Sequence, residues 1–192
     1  YAGDCMEDPA IDIAVRGEGE RTFLEVIRNF EARKPFEGIK GITWKRGGET
    51  VGEPDREFID DLDSLPYPDW DAVDLRAYSA FVPQAPVHFG TPYTTILTSL
   101  GCPFHCTFCH NIHGKKFRAH SAARVLSELK ALQDRFGFRE IEIIDDIFNW
   151  DRRRTAEIMN GLVGGGLGLK LYLANGVRAD ILDREMIDLF AR

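Results

Sequence analysis

Short runs in which hydrophobic and polar residues alternate give way to runs in which apolar residues recur every three or four positions, and the exchange repeats along the chain. Ile11 to Val15 predicts a short strand. Gly17-Glu18-Gly19-Glu20 reads as a turn, and Thr22 to Arg33 as a helix with Phe23, Val26, Ile27 and Phe30 at helical spacing. Glu18 and Glu20 fall near the start of that helix, where its dipole favours negative charge. Together they predict one strand–turn–helix step of an α/β sheet. Residues 34–92 lose this rhythm. Lys40 to Lys45 and Thr50-Val51 predict a small hairpin around Gly47-Gly48. Leu65-Pro66-Tyr67-Pro68 is extended, because each proline restricts the residue before it. Pro83, Pro86 and Pro92 continue that style, so the stretch reads as an ordered connector without a core of its own.

A second alternation begins at Tyr93. Thr94 to Ser99 predicts a strand that runs into a cysteine-bearing loop. Ser121 is suited to cap a helix ending at Phe136, with Val125, Leu126, Leu129 and Leu132 on one face and Gly137 as its C′ residue. Glu140 to Asp145 predicts a strand with an acidic end. Asp151 predicts the cap of a helix through about Val163, Gly161 to Gly168 a flexible connector, and Lys170 to Asn175 a third strand. The last helix follows Gly176-Val177-Arg178. Strands alternating with helices imply parallel pairing, and such sheets carry their chemistry at the carboxyl ends of the strands. Those ends hold the cysteines, Asp145-Asp146, and Asn175 with Arg178.

Composition narrows the class. The 192 residues are 44% hydrophobic and 29% charged, as in globular proteins. A net charge of −7 argues against a broad nucleic-acid surface. No apolar run reaches the length of a membrane span, and no signal peptide stands out. Four cysteines, three of them clustered, suit a reducing cytoplasm better than a disulfide framework. A start at Tyr1 and an end at Arg192 within a helical pattern lead us to expect a fragment.

Cys102, Cys106 and Cys109 are spaced C-x3-C-x2-C, and Cys5 is remote. Thiolates suit iron–sulfur clusters and zinc. A cubane held by three cysteines leaves one iron open to a substrate or cofactor. Zinc is the alternative, with His110 or His113 completing a Cys3His set. Gly17 and Gly19 do not make a dinucleotide fingerprint, since Thr22 stands where the third glycine belongs.

The strand, the C-x3-C-x-aromatic-C loop and the acidic end of the next strand resemble the radical S-adenosylmethionine (SAM) enzymes. Val15 to Glu20, Leu62 to Pro68, Asp145-Asp146-Ile147-Phe148 and Asn175-Gly176-Val177-Arg178 resemble the cobalamin-dependent branch. That branch includes the anaerobic magnesium-protoporphyrin monomethyl ester cyclase and several methyltransferases. Ile147 stands where the family often has Asn, and no D-x-H-x-x-G segment occurs.

The resemblance implies an α/β fold in three parts: residues 1–33 as the C-terminal edge of a Rossmann-like cobalamin-binding domain, 34–92 as a linker, and 93–192 as the first half of a partial (β/α)6 barrel. It implies a [4Fe–4S] cluster on Cys102, Cys106 and Cys109, SAM and cobalamin as further cofactors, and cleavage of SAM to a 5′-deoxyadenosyl radical for methyl transfer or oxidative cyclisation. Phe108 would flank the adenine, Asp145 or Asp146 would hold the SAM ammonium, Arg178 would pair with its carboxylate, and Asn175 would add a polar contact. The Gly17–Gly19 turn would lie near the cobalamin nucleotide tail. A small-molecule substrate and a reductant such as flavodoxin or ferredoxin are the expected partners, with neither nucleic acid nor membrane. The alternatives are a radical SAM methylthiotransferase acting on tRNA and a non-enzymatic zinc-binding module.

Overall fold

The computed structural model describes residues 2–81, 83–85 and 92–192; Tyr1 and Pro86 lie outside the described residues. The chain divides into two compact units, residues 1–60 and 61–192. In the first, α1 (Ala2–Cys5) precedes β1 (Ile13–Val15), α2 (Gly19–Glu31), β2 (Ile42–Arg46) and β3 (Glu49–Gly52). The hairpin forms as expected: Gly47 and Gly48 both have positive φ, at 61° and 92°, which a two-residue turn of this kind requires. Its role differs from the expectation. β2 pairs antiparallel with β1, so β1 belongs to a small antiparallel sheet and not to a parallel α/β layer. Ile39, Ile42 and Trp44 are buried with Val26 of α2, giving residues 34–60 a core within this unit. Arg16 fixes the strand–helix turn, donating to the Ile42 carbonyl at 3.0 Å, to Thr43 Oγ1 at 2.6 Å and to the Glu53 carbonyl. Glu18 accepts from the Ile59 N–H at 2.7 Å. The buried side of α2 is Thr22 and Val26; Phe23, Ile27 and Phe30, expected to pack, are exposed.

The second unit contains α3 (Leu75–Tyr78), β4 (Tyr93–Ile96), β5 (Ser99–Leu100), β6 (Arg118–Ala119), α4 (Ala122–Phe136), β7 (Glu140–Ile143), α5 (Arg152–Gly164), β8 (Lys170–Leu173) and α6 (Arg184–Phe190). β4, β7 and β8 form a parallel sheet in that order, with Tyr93 opposite Glu140 and Glu140 opposite Lys170. The middle strand is buried on both faces. Ile141 and Ile143 face one way, into a core with Val125, Leu129 and Leu132 of α4 and Ile158 of α5. Glu140 and Glu142 face the other way. Each is 0% exposed, and each is supplied with donors: Tyr172 Oη to Glu140 at 3.1 Å, and the Ala85 N–H to Glu142 at 2.8 Å.

The caps read from the sequence hold. Ser121 Oγ accepts from Arg124 N at 3.2 Å, Gly137 takes the left-handed conformation at the end of α4, and Asp151 accepts from Arg154 N at 3.0 Å. The expected connector from Gly161 does not begin there. Gly161 lies inside α5, where a Cβ would run into the Leu126 side chain, so glycine lets α4 and α5 approach closely. The proline-rich strap is pinned to α4: Arg124 donates to the Leu65 and Pro66 carbonyls, both at 2.8 Å, and its guanidinium lies 4.2 Å over the Tyr67 ring.

Gly161→Val forces overpacking at this crossing, and a loss of about 2 kcal/mol in denaturant unfolding is expected. Gly164→Ala, where a Cβ meets nothing within 4 Å, leaves stability unchanged or slightly raised.

Candidate metal centre

The cysteine loop leaves β4 through Thr98 and closes through the antiparallel pair β5 and β6, with Ser99 opposite Ala119 and Leu100 opposite Arg118. The neck is tightly specified. Asp145, 2% exposed, accepts from Thr98 N, Thr98 Oγ1 and Ser99 Oγ, each at 2.6 Å. Three donors at one buried carboxylate account for its placement. Asp146 accepts from Gly101 N at 3.1 Å. Gly101 has φ +80°, and a Cβ there would overlap the Lys116 carbonyl and lie 3.0 Å from that of His113. Only glycine lets the outgoing and returning legs of the loop meet immediately before Cys102. The peptide of Cys102 then donates to the Gly114 carbonyl at 3.3 Å.

Two other strand-end loops converge on this one. Phe104 packs edge-on against Trp150, with centroids 5.5 Å apart, and the Arg178 guanidinium lies 3.8 Å over the Phe104 ring. Lys115 Nζ donates to the Phe104 carbonyl at 2.7 Å. Asn149, 4% exposed, exchanges two 3.0 Å hydrogen bonds with the Arg178 backbone. Asn175 Nδ2 donates to the carbonyls of Ile144 at 2.9 Å and Asp145 at 3.3 Å.

The structure therefore draws Asp145, Asp146, Asn175 and Arg178 to the cysteine loop, but it gives several of them tasks other than those expected. Asp145 is fully engaged by the neck. Asn175 ties one strand end to the next. Arg178 makes a bidentate pair with Asp180, at 2.8 and 2.5 Å. The bond from Asp180 raises its pKa, with Cys106 and Cys102 adding to the effect. Phe108 is 92% exposed. Gly17 and Gly19 lie in the first unit; Gly17 needs its positive φ of 71°, whereas a Cβ on Gly19 would make only ordinary contact with Val15. Gly101, Phe104, Asn149 and Trp150 were not singled out from the sequence, and Arg154, which the run Arg152-Arg153-Arg154 suggests is on a solvated face, is buried. Of these only Gly101 carried a local signal, as a glycine directly before the first cysteine.

All four cysteines are free; Cys102 is half-buried, and Cys106 and Cys109 are exposed. Their chemistry fits an iron–sulfur cluster. Among the described residues, no three Cys, His, Asp or Glu side chains are gathered around one point. The donor set fits, and sharing one cluster requires the thiols at the loop tip to turn inward. His110 Nε2 stands 3.5 Å from Asp146 Oδ1.

His120 closes the loop under a second network. Its Nδ1 lies 3.1 Å from Asp63 Oδ1, and Asp63 also accepts from the Ser121 N–H at 3.1 Å. Burial lowers the His120 pKa; the Asp63 hydrogen bond opposes this, and Arg124 and Arg154 reinforce it.

No protein-family model matches the chain. It is 36% identical over 165 residues to a Pyrococcus horikoshii protein named as an uncharacterized methyltransferase, PH0819, covering 85% of this chain and 34% of that one. It is 28% identical to cytidylyl-2-hydroxyethylphosphonate methyltransferase of Streptomyces wedmorensis, covering 97% and 39%. It is 26% identical to anaerobic magnesium-protoporphyrin IX monomethyl ester cyclase of Cereibacter sphaeroides, covering 97% and 30%. The chain thus spans about a third of the length of these relatives. Among solved structures, the radical SAM methyltransferase TsrM of Kitasatospora setae, with cobalamin and a [4Fe–4S] cluster bound, superposes with a TM-score of 0.67 at 19% identity, covering 94% of this chain and 36% of that one. The cobalamin-dependent SAM radical enzyme OxsB, with aqua-cobalamin bound, gives 0.60 at 23%, covering 79% and 21%. The resemblance drawn from the cysteine motif holds: relatives are methyltransferases and cyclases, and the fold is shared with part of cobalamin-dependent radical SAM enzymes.

Two outcomes follow from this geometry. Gly101→Ala is expected to cost at least about 1 kcal/mol and to lower iron retention after reconstitution, read by iron assay. Because the folded chain holds His120 below its ordinary pKa, the unfolded chain takes up the proton first. The stability due to neutral His120 is complete above about pH 6.5 and falls as pH drops from there towards the folded pKa. Thermal midpoints are expected to decline across that window in the wild type and less steeply in His120→Gln.

Proposed function

We propose that the chain is part of a cobalamin-dependent radical SAM enzyme, with Cys102, Cys106 and Cys109 as the protein ligands of a [4Fe–4S] cluster. The observation that supports this most directly is three free thiols on one loop at the carboxyl end of a parallel sheet, in a chain related to methyltransferases and a cyclase. When bound, such a cluster supplies one-electron cleavage of the SAM S–C5′ bond, to methionine and a 5′-deoxyadenosyl radical, and cobalamin supplies a methyl carrier.

The chain's own residues do the positioning. Asp145 and Asp146 hold the outgoing leg of the loop at the end of β7. Phe104 seats the loop between Trp150 and Arg178. Arg178 brings a fixed positive charge to the cysteine loop, over the Phe104 ring. Its fork can take the SAM carboxylate by exchanging it for Asp180, one carboxylate for another. Asn175 and Phe108 stand at the same rim as polar and aromatic contacts for SAM. We assign residues 93–192 to the first half of the barrel, and the Gly17–Gly19 turn of the first unit to the neighbourhood of the cobalamin nucleotide tail. The reaction is methyl transfer to, or oxidative cyclisation of, a small molecule, drawing on a flavodoxin or ferredoxin as reductant in the cytoplasm.

Anaerobic reconstitution of the longer protein tests this. About four irons with matching sulfide per chain, absorbance near ~400 nm and reductant-dependent formation of 5′-deoxyadenosine are expected. Replacing any one of Cys102, Cys106 or Cys109 by alanine should abolish the last. One zinc per chain without sulfide would overturn the reading. Asp180→Asn, which frees the Arg178 fork, is expected to tighten SAM binding about threefold in equilibrium titration.

A further inference from the structure

Thr98 stands where the first parallel strand hands over to the cysteine loop, and it is 1% exposed. Its peptide is gripped from both sides. Asp145 accepts its N–H and its hydroxyl, both at 2.6 Å. Its carbonyl accepts from His120 N at 3.0 Å and from Arg154 Nη2 at 2.8 Å. Arg154 Nε donates to the His120 carbonyl at 2.6 Å. One guanidinium on α5 thus joins the residue before β5 to the residue after β6, the entry and the exit of the loop.

Arg154 is 6% exposed, and its third nitrogen, Nη1, has no partner among the described residues. Burial works against its charge, while Asp145, Asp151 and Asp63 favour it. An apolar side chain of similar volume would fill this space without stripping water from a cation. It could not satisfy a buried and a part-buried carbonyl on different segments at once.

We propose that Arg154 is a positioning residue for the metal loop: with Asp145 it locks Thr98 between opposite charges and so fixes the entry and exit of the loop that carries the cysteines. The inference rests on the cysteines being ligands, while the bonds of the neck themselves involve no cysteine. Lysine is no substitute, because one ammonium on a flexible stem cannot span both carbonyls.

The test is Arg154→Lys in the full-length protein. In the metal-free form, amide hydrogen exchange across Thr98–Gly101 and Arg118–Ser121 should quicken about tenfold, while β7 keeps its protection. After anaerobic reconstitution, iron should pass to a chelator about tenfold faster than from the wild type. Wild-type exchange at the neck, or a change spread evenly over the unit, would overturn the proposal. If Arg154→Lys does not fold, Thr98→Val deletes one of Asp145's donors and leaves the arginine in place. It should quicken the same amides about threefold, and no change there would equally overturn the proposal. A wild-type protein that takes up no iron would refute the cysteine assignment and leave the exchange result to decide the neck.

Discussion

A carboxylate taken out of water has to be given donors, and Asp145 receives three of them from Thr98 and Ser99, just beyond the first parallel strand. That set of bonds extends the contact between β4 and β7 past the last ladder pair, Ile96 with Ile143, into the start of the cysteine loop. Everything at the rim is arranged around it. The loop can close only because Gly101 has no side chain, and the neighbouring strand ends are tied in through Asn175 and Asn149. The parallel sheet supplies a common edge, and buried polar bonds turn that edge into a defined place.

Charge at this rim specifies geometry more than it adds stability. Burying Asp145 and Arg154 carries a desolvation cost that packed apolar residues would avoid. What the charges provide is a defined arrangement of peptide groups, since Asp145 and Arg154 grip the Thr98 peptide from opposite sides. The exposed ion pairs elsewhere, such as Lys130 with Asp134 or Arg153 with Glu157, are worth at most about 1 kcal/mol and fix nothing. The aromatic contact of Phe104 with Trp150 and Arg178 belongs with the first kind, because it seats one loop against two others.

The elements with local signals were legible in the sequence. Ser121, Gly137 and Asp151 bound their helices where side-chain capping and a left-handed glycine require, and Gly47-Gly48 turned the hairpin. The parallel order of β4, β7 and β8 followed from the alternation of strands with helices. Partnership was harder to read. Ile11 to Val15 has the pattern of any strand, and nothing local says that its neighbour is the antiparallel β2. Gly161 looked like a helix breaker because its reason for being glycine, Leu126, sits on another helix. Arg178 has its ion-pair partner Asp180 two residues on, within reach of a local reading, whereas the partner of Asp145, Thr98, lies 47 residues away and depends on how the strand ends settle in space. The apolar stripe of α2 shows the reverse: Phe23, Ile27 and Phe30 have a buried pattern and an exposed setting.

The two faces of the parallel sheet are chemically unlike. One is oily and carries α4 and α5. The other presents Glu140 and Glu142 from its middle strand, with Tyr172 beside them. Both acids are out of water and already hold donors, Tyr172 Oη and the Ala85 N–H, so any layer over that face has to leave these bonds intact.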